Sequence, residues 1–107
     1  MKSTRTITIL TRPVTEDISS QVFGDQTIKY ESRITFVKDV NENGARQYWC
    51  RITKQWSEGE ETLVKYINLT GKPEQGNGLY KQYRGMGYKL KDRYTLNIDD
   101  SENWKYN

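Results

Sequence analysis

The chain of 107 residues contains no histidine, one cysteine and one alanine. Without histidine it lacks the commonest general base and the commonest metal ligand. The single cysteine, Cys50, can neither close an internal disulfide nor build a thiolate zinc site, which needs several ligands at set spacing. A reducing compartment, the cytoplasm, is the simplest interpretation of that count. We therefore expect no enzyme, no bound metal and no cofactor.

Long hydrophobic runs are also missing. Only 34% of residues are hydrophobic, and the mean hydropathy is −0.97. No stretch of about 18 apolar residues exists, so the sequence predicts no membrane span. The first residues, "MKSTRTITILTRP", alternate polar and apolar side chains instead of forming the continuous apolar stretch of a signal peptide. We expect a cytoplasmic protein without a membrane partner.

Residues that favour strands dominate what is present. The chain has eleven threonines, eight isoleucines, five valines and thirteen aromatic residues, and these side chains suit a pleated surface. Polar and apolar residues alternate with period two in several segments, as in half-buried strands. The alternation predicts strands at residues 4–11, 27–37, 46–56, 61–69 and 88–98.

Turn signals separate these strands. Asn43-Gly44 and Gly59 mark hairpin turns, and Pro13 either stops the first strand or places it at a sheet edge. Residues 14–20 are expected to form one helical turn or a loop, and residues 70–78 a glycine-rich loop. The fold class is therefore all-β, or β with one short helix. We predict one domain over residues 1–107, built as a small antiparallel sheet, barrel or sandwich of five to six strands, with an acidic-aromatic tail from about residue 99.

The alternation also predicts which side chains are buried. Cys50 shares its strand face with apolar neighbours, so we expect a buried, unreactive thiol. In the last strand, an apolar face is expected to hold Tyr88, Leu90, Tyr94 and Leu96, with Asp92 as the one polar defect. Lys89, Lys91 and Arg93 would then line the opposite, outer face.

The segment "YKQYRGMGYKLKDRY", residues 80–94, concentrates positive charge. Residues 81–93 hold five basic side chains and one acid, whereas the whole chain has a net charge of +3. Neighbouring residues on one strand face lie about 6.6 Å apart, which is close to the phosphate spacing of an extended single strand. The expected ridge of Lys89, Lys91 and Arg93 could therefore follow successive phosphates.

Aromatic side chains would complete a single-strand site, because bases stack on them. If Cys50 points inward, Trp49 points outward, beside Arg51. Tyr80 and Tyr83 are expected near a turn at residues 85–87. The candidate residues for nucleic-acid or partner binding are Trp49, Arg51, Tyr80, Lys81, Tyr83, Arg84, Lys89, Lys91 and Arg93.

Two functions remain open, beside the plain alternative of a solvated strand face. The basic and aromatic surface favours sequence-tolerant binding of single-stranded nucleic acid. The alternative is a protein-interaction module of a phage or mobile element that inhibits or adapts a host nucleic-acid enzyme or defence complex, because aromatics and arginine also anchor protein interfaces. The composition, typical of AT-rich coding sequences, fits such a source.

Overall fold

The computed structural model describes residues 3–22 and 24–98. In chain order, they form β1 (Ser3–Ser20), β2 (Gly24–Val40), β3 (Arg46–Gln55), β4 (Glu61–Asn68), α1 (Pro73–Gly85) and β5 (Lys89–Ile98). The strands make one antiparallel sheet in the order β4-β3-β2-β1-β5. The sheet does not close into a barrel, because β4 and β5 lie at opposite edges. The predicted class of antiparallel β with one short helix is confirmed; the predicted tail lies outside the described residues.

The hairpin of β1 and β2 is the longest unit of the sheet. Its register runs from the pair Thr4–Val40 to the pair Ser20–Gly24. The neighbouring strands are shorter: β3 pairs with β2 only along residues 31–40, and β5 pairs with β1 only along residues 3–11. Residues 14–20 and 24–30 therefore pair only with each other and form a two-stranded arm. Seven residues at about 3.3 Å each project about 23 Å, and the molecule is 58 Å long.

The arm corrects one prediction. Residues 14–20 are neither a helical turn nor a loop but the second half of β1. Pro13 pairs with Glu31 of β2, whereas β5 already ends opposite Thr11. At Pro13 the strand thus has a neighbour on one side only, where a missing N–H costs no ladder hydrogen bond. Of the two predicted roles for this proline, the edge position is the correct one.

The expected loop at residues 70–78 is also wrong, because α1 begins at Pro73. A proline in the first helical turn costs no hydrogen bond, since the N–H groups there have no partner within the helix. The helix contacts the sheet at Gly76: a Cβ added there would lie at ordinary contact distances, 3.5 Å from Cδ1 of Leu69 and 3.7 Å from Cε1 of Tyr48. One of the glycines that suggested a loop, Gly76, therefore lies where the helix contacts the sheet.

The helix covers one face of the sheet, which we call the helix side; the other face is the open side. Leu79, Tyr80 and Tyr83 of α1 pack against the buried cluster there. Burial of this apolar surface is the main force that holds α1 to the sheet. The predicted burial of Cys50 is confirmed, since its side chain is fully inaccessible. The buried cluster consists of Leu10, Ile34, Phe36, Cys50, Leu69 and Tyr88.

A β-bulge divides the last strand. In the register of β1 with β5, Ile9 faces Asp92 and the next residue, Leu10, faces Leu90. Lys91 is therefore an extra residue without a partner in the ladder, and the side-chain alternation changes phase there. The bulge decides which side chains of β5 lie on each side of the sheet.

The phase change overturns part of the predicted core. Tyr88, before the bulge, is 6% exposed and belongs to the core as expected. Tyr94 and Leu96, after the bulge, lie on the open side and are 38% and 45% exposed. The prediction that they share a buried face with Tyr88 is wrong, because an unbroken alternation was assumed.

The hairpin turns follow the predicted glycines. Gly44 has φ 84° and Gly59 has φ 97°, a region that favours glycine. At the first turn, the side-chain oxygen of Asn41 accepts hydrogen bonds from the backbone N–H groups of Asn43 and Ala45. The asparagine thus fixes the loop through its side chain, as in an Asx turn.

The open side contains a buried ion pair. Nε and Nη2 of Arg5 donate to the two carboxylate oxygens of Asp39 at 2.8 and 2.9 Å, and Asp39 is 0% exposed. The hydrogen bond with Asp39 raises the pKa of Arg5, although burial opposes the rise. The Arg5 guanidinium also lies 5.5 Å from the ring centre of Trp49. This contact ties β1 to β3 across β2.

Replacing Asp39 by alanine should destabilise the fold by about 3 kcal/mol, because the Arg5 charge loses its buried partner. Urea unfolding followed by tryptophan fluorescence measures this change. The matched control is Glu58→Ala, which removes an exposed turn carboxylate and should change the free energy of unfolding by less than about 0.5 kcal/mol. Equal midpoints for the two variants would show that the ion pair does not support the sheet.

Candidate nucleic-acid interface

The helix crosses the sheet diagonally. Its first turn lies on Tyr48 and Leu69 through Gly76. At its other end, Nη1 of Arg12 donates to the carbonyl of Met86 at 3.1 Å. The helix therefore runs from β3, at the end remote from the arm, towards β1 at the base of the arm. One corner of the sheet, formed by β1 and β5 far from the arm, is left uncovered.

A groove lies between α1 and this corner. It consists of two adjoining cavities of about 250 Å³ and about 130 Å³. We call them together the helix-side groove, the first being the larger compartment and the second the smaller compartment. The larger compartment is lined by Thr8, Phe36, Tyr48, Gly76, Asn77, Tyr80 and Arg93. The smaller compartment is lined by Thr6, Thr8, Phe36, Lys38, Tyr48 and Arg93.

Aromatic rings form the walls of the groove. The ring centre of Tyr80 lies 5.9 Å from that of Phe36, and the planes are inclined by 60°. Tyr48 and Tyr80 are half-buried, so each ring packs on the core while part of it faces the groove. Positions i, i+3 and i+7 share one side of a helix. Asn77 and Arg84 therefore lie on the same side of α1 as Tyr80.

The charges of the groove differ from those of the open side. Lys38 and Arg93 line the groove, and neither has an ion pair among the described residues. On the open side, several basic side chains lie in contact with carboxylates, whereas Lys89 has no ion pair among the described residues. The ion pairs recorded there are Arg5–Asp39, Arg33–Glu31, Arg51–Glu61 and Lys91–Glu31.

The structure places Trp49 on the face opposite Cys50, as the alternation predicts. Its ring is only 3% exposed, however, so the expected outward stacking surface is wrong. Arg51 beside it lies 3.4 Å from a carboxylate oxygen of Glu61. The open side around Trp49 thus contains packed and paired side chains.

The predicted ridge of three cations is also divided. Lys89 lies opposite Thr11 on the open side, and Lys91 contacts Glu31 there at 3.3 Å. Arg93 lies in the groove on the helix side. The expectation that all three share one face is wrong, because the bulge at Lys91 changes the alternation between them.

The remaining predicted site residues all lie on α1, not beside a hairpin turn. Tyr83 packs edge-on against Tyr88, with ring centres 5.4 Å apart, and burial raises its pKa. Lys81 and Arg84 are exposed. The fold thus brings Tyr80 and Arg93 to one groove, leaves Arg84 exposed on the helix outside the groove lining, and packs Tyr83 against the core.

Sequence reasoning missed Lys38, Tyr48 and the threonines of β1 as site residues. One signal was available: Thr6 and Thr8 share a strand face with Leu10, which is fully buried. Polar residues on an otherwise apolar face indicate a part of the sheet that its covering layer does not reach. The groove occupies this part.

A larger cleft, of about 430 Å³, lies at the base of the arm. It contains an aromatic pair, Tyr30 and Trp56, with ring centres 5.1 Å apart. Two of its three basic side chains, Arg33 and Lys91, contact the carboxylate of Glu31; the third is Lys29. Burial opposes the charged form of Glu31, but these two hydrogen bonds outweigh it and lower its pKa. The cleft is therefore less suited to an anion than the helix-side groove.

Within residues 3–22 and 24–98, no group of three or more histidine, cysteine, aspartate or glutamate side chains could hold a metal ion. In the same residues, no helix is long and apolar enough to cross a membrane. Comparisons of the chain with protein-family models, curated proteins and solved structures gave no match. The groove is therefore interpreted from its own geometry and charge.

The thiol of Cys50 should react very slowly in the native protein. Burial raises its pKa to about 12, so roughly one molecule in ten thousand carries a thiolate at pH 8. Labelling with a chromogenic disulfide reagent at pH 8 should be at least about a hundredfold slower in native buffer than in guanidinium chloride. Equal rates in the two conditions would contradict the burial of this side chain.

Proposed function

We propose that the protein is a non-enzymatic, cytoplasmic binder of single-stranded nucleic acid, that it tolerates different sequences, and that the ligand lies in the helix-side groove. One observation carries the proposal: Lys38 and Arg93, free of ion pairs among the described residues, lie beside the half-buried rings of Tyr48 and Tyr80. Cations beside aromatic rings are the two components of a single-strand site.

The cations supply attraction to the phosphate backbone. A phosphate that replaces the solvent around Lys38 and Arg93 does not compete with a protein carboxylate, because none pairs with them in the described residues. The planar guanidinium of Arg93 can donate two parallel hydrogen bonds to one phosphate. Arg84 is exposed on the same side of α1 as Tyr80, one helical turn beyond the groove lining, where it can contact a phosphate of a strand that leaves the groove.

The aromatic walls explain why the sequence of the strand should matter little. Every base has a face that stacks on a tyrosine ring, and each stacked base contributes about 1–3 kcal/mol. Tyr80 is held against Phe36, so its ring needs little ordering when a base binds. Asn77 and Thr8 provide polar side chains at the base edge, too few to distinguish all four bases.

A fluorescence anisotropy titration of a labelled mixed 20-mer at about 50 mM salt tests the proposal. Three phosphate contacts, with Lys38, Arg84 and Arg93, give a log–log salt dependence with a slope of about −2, at about 0.7 per phosphate on single strands. The double variant Lys38→Ala/Arg93→Ala should flatten this slope by about 1.4 and weaken all sequences alike.

The matched control is Lys89→Ala/Lys91→Ala, which removes the same charge from the open side. It should leave the slope unchanged. A slope flattened by the control and not by the groove variant would move the site to the open face that the sequence first indicated. No binding of the 20-mer at tens of micromolar protein would rule out nucleic-acid binding altogether.

The arm favours a second function, binding of a protein with a basic surface. Residues 16–28 contain three acids and no lysine or arginine, in a chain with a net charge of +3. Apolar side chains are exposed near its end: Ile18 is 41% and Val22 is 81% exposed. Such an arm, from a phage or mobile element, could occupy the basic cleft of a host nucleic-acid enzyme and inhibit it.

Shortening the arm tests this second function. Val14 and Tyr30 pair directly, so an Asn-Gly turn can replace residues 15–29. The free energy of unfolding should change by less than about 1 kcal/mol, because an isolated two-stranded ribbon is itself barely stable. If the arm holds a partner, the shortened protein loses that partner and keeps its affinity for the 20-mer. A partner retained by the shortened protein would contradict the role of the arm.

A further inference from the structure

The two compartments of the groove differ in chemistry. The larger compartment has tyrosine rings on its walls, with the Asn77 amide and the Thr8 hydroxyl beside them. The smaller compartment has the Lys38 ammonium and threonine hydroxyls. Arg93 lines both compartments and so stands at their junction. One half of the groove suits a flat, partly polar ring, and the other half suits an anion.

Gly76 keeps the larger compartment free of a side chain. This residue is buried and lines the cavity, and a methyl group on it would contact Leu69 and Tyr48. Gly78, one half-turn further along α1, has no atom within 4 Å of an added Cβ. Because Gly76 has no side chain, the larger compartment remains open between the helix and the sheet.

We infer that the groove is a site for one nucleotide: the base lies between the tyrosine rings of the larger compartment, and its phosphate lies between Lys38 and Arg93. This inference rests on the proposed function and specifies how many nucleotides the groove holds. A cavity of about 250 Å³ falls below the range of roughly 300–1,000 Å³ typical of sites for whole drug-sized ligands. It matches one base with its sugar, not a stretch of several stacked bases.

A one-nucleotide site predicts how affinity depends on the length of the strand. Contacts are complete once a strand supplies one base and its flanking phosphates. Longer strands then gain only from the number of positions at which they can bind. A continuous track, by contrast, adds stacking and phosphate contacts with each nucleotide, so its affinity rises steeply with length.

Competition against the labelled 20-mer at about 50 mM salt measures this dependence. The competitors are thymidine 5′-monophosphate, ribose 5-phosphate, 5′-phosphorylated (dT)₃ and (dT)₂₀. After correction for the number of binding positions, (dT)₃ and (dT)₂₀ should agree within about threefold, and thymidine monophosphate should compete better than ribose phosphate. A corrected affinity that rises more than about tenfold from (dT)₃ to (dT)₂₀ overturns the one-nucleotide site and leaves the proposed function standing.

Two glycine variants separate the compartments. Gly76→Ala places a methyl group in the larger compartment at ordinary contact distances, and Gly78→Ala places the same group in open space. Gly76→Ala should weaken the binding of thymidine monophosphate about tenfold, because the methyl group occupies space that the base needs, and should leave ribose phosphate unchanged. Gly78→Ala should change neither affinity. Equal effects of the two variants would place the base elsewhere. No competition by any of these ligands, with no binding of the 20-mer, defeats the proposed function itself.

Discussion

One short helix must cover the apolar face of a five-stranded sheet whose strands are much longer than the helix is thick. The rest of the structure follows from this difference in size. The 13 residues of α1 span about 20 Å at 1.5 Å per residue. Five strands at about 4.8 Å spacing occupy a similar width, but the strands are much longer than the helix is thick. The helix can therefore cover only a diagonal band. Side chains under the band are apolar, as at Leu10, Ile34 and Cys50, and those beyond it are polar, as at Thr6 and Lys38.

All five strands could be located, mostly from period-two patterns, but the part of β1 that lies in the arm was missed. The helix could not be located, because its first half, "PEQGNG", contains the residues most typical of loops. Gly76 lies where the helix contacts Leu69 and Tyr48, which only the assembled fold makes evident. One signal was present: Leu79, Tyr80 and Tyr83 repeat with helical spacing after a proline. The period-two pattern of the following strand masked it.

The site was predicted in part for a related reason. The segment "YKQYRGMGYKLKDRY", rich in basic and aromatic residues, contains two residues that line the groove, Tyr80 and Arg93. One inserted residue, Lys91, then reversed the sides assigned to the rest of the strand. A bulge leaves no mark in a hydrophobic pattern, since each half of the strand still alternates correctly. Trp49 was misjudged because alternation gives the direction of a side chain and not its burial.

The long hairpin separates charge along the molecule. Thr6, at the groove, and Ser20, at the end of the arm, lie on the same strand, about 45 Å apart at 3.3 Å per residue. Among the described residues, the unpaired cations Lys38 and Arg93 lie near one end of this axis, and three carboxylates lie near the other. This part of the chain thus has an electric dipole along its length. The field of a polyanion turns a molecule with this dipole before contact, so that the groove faces the polyanion and the arm points away from it.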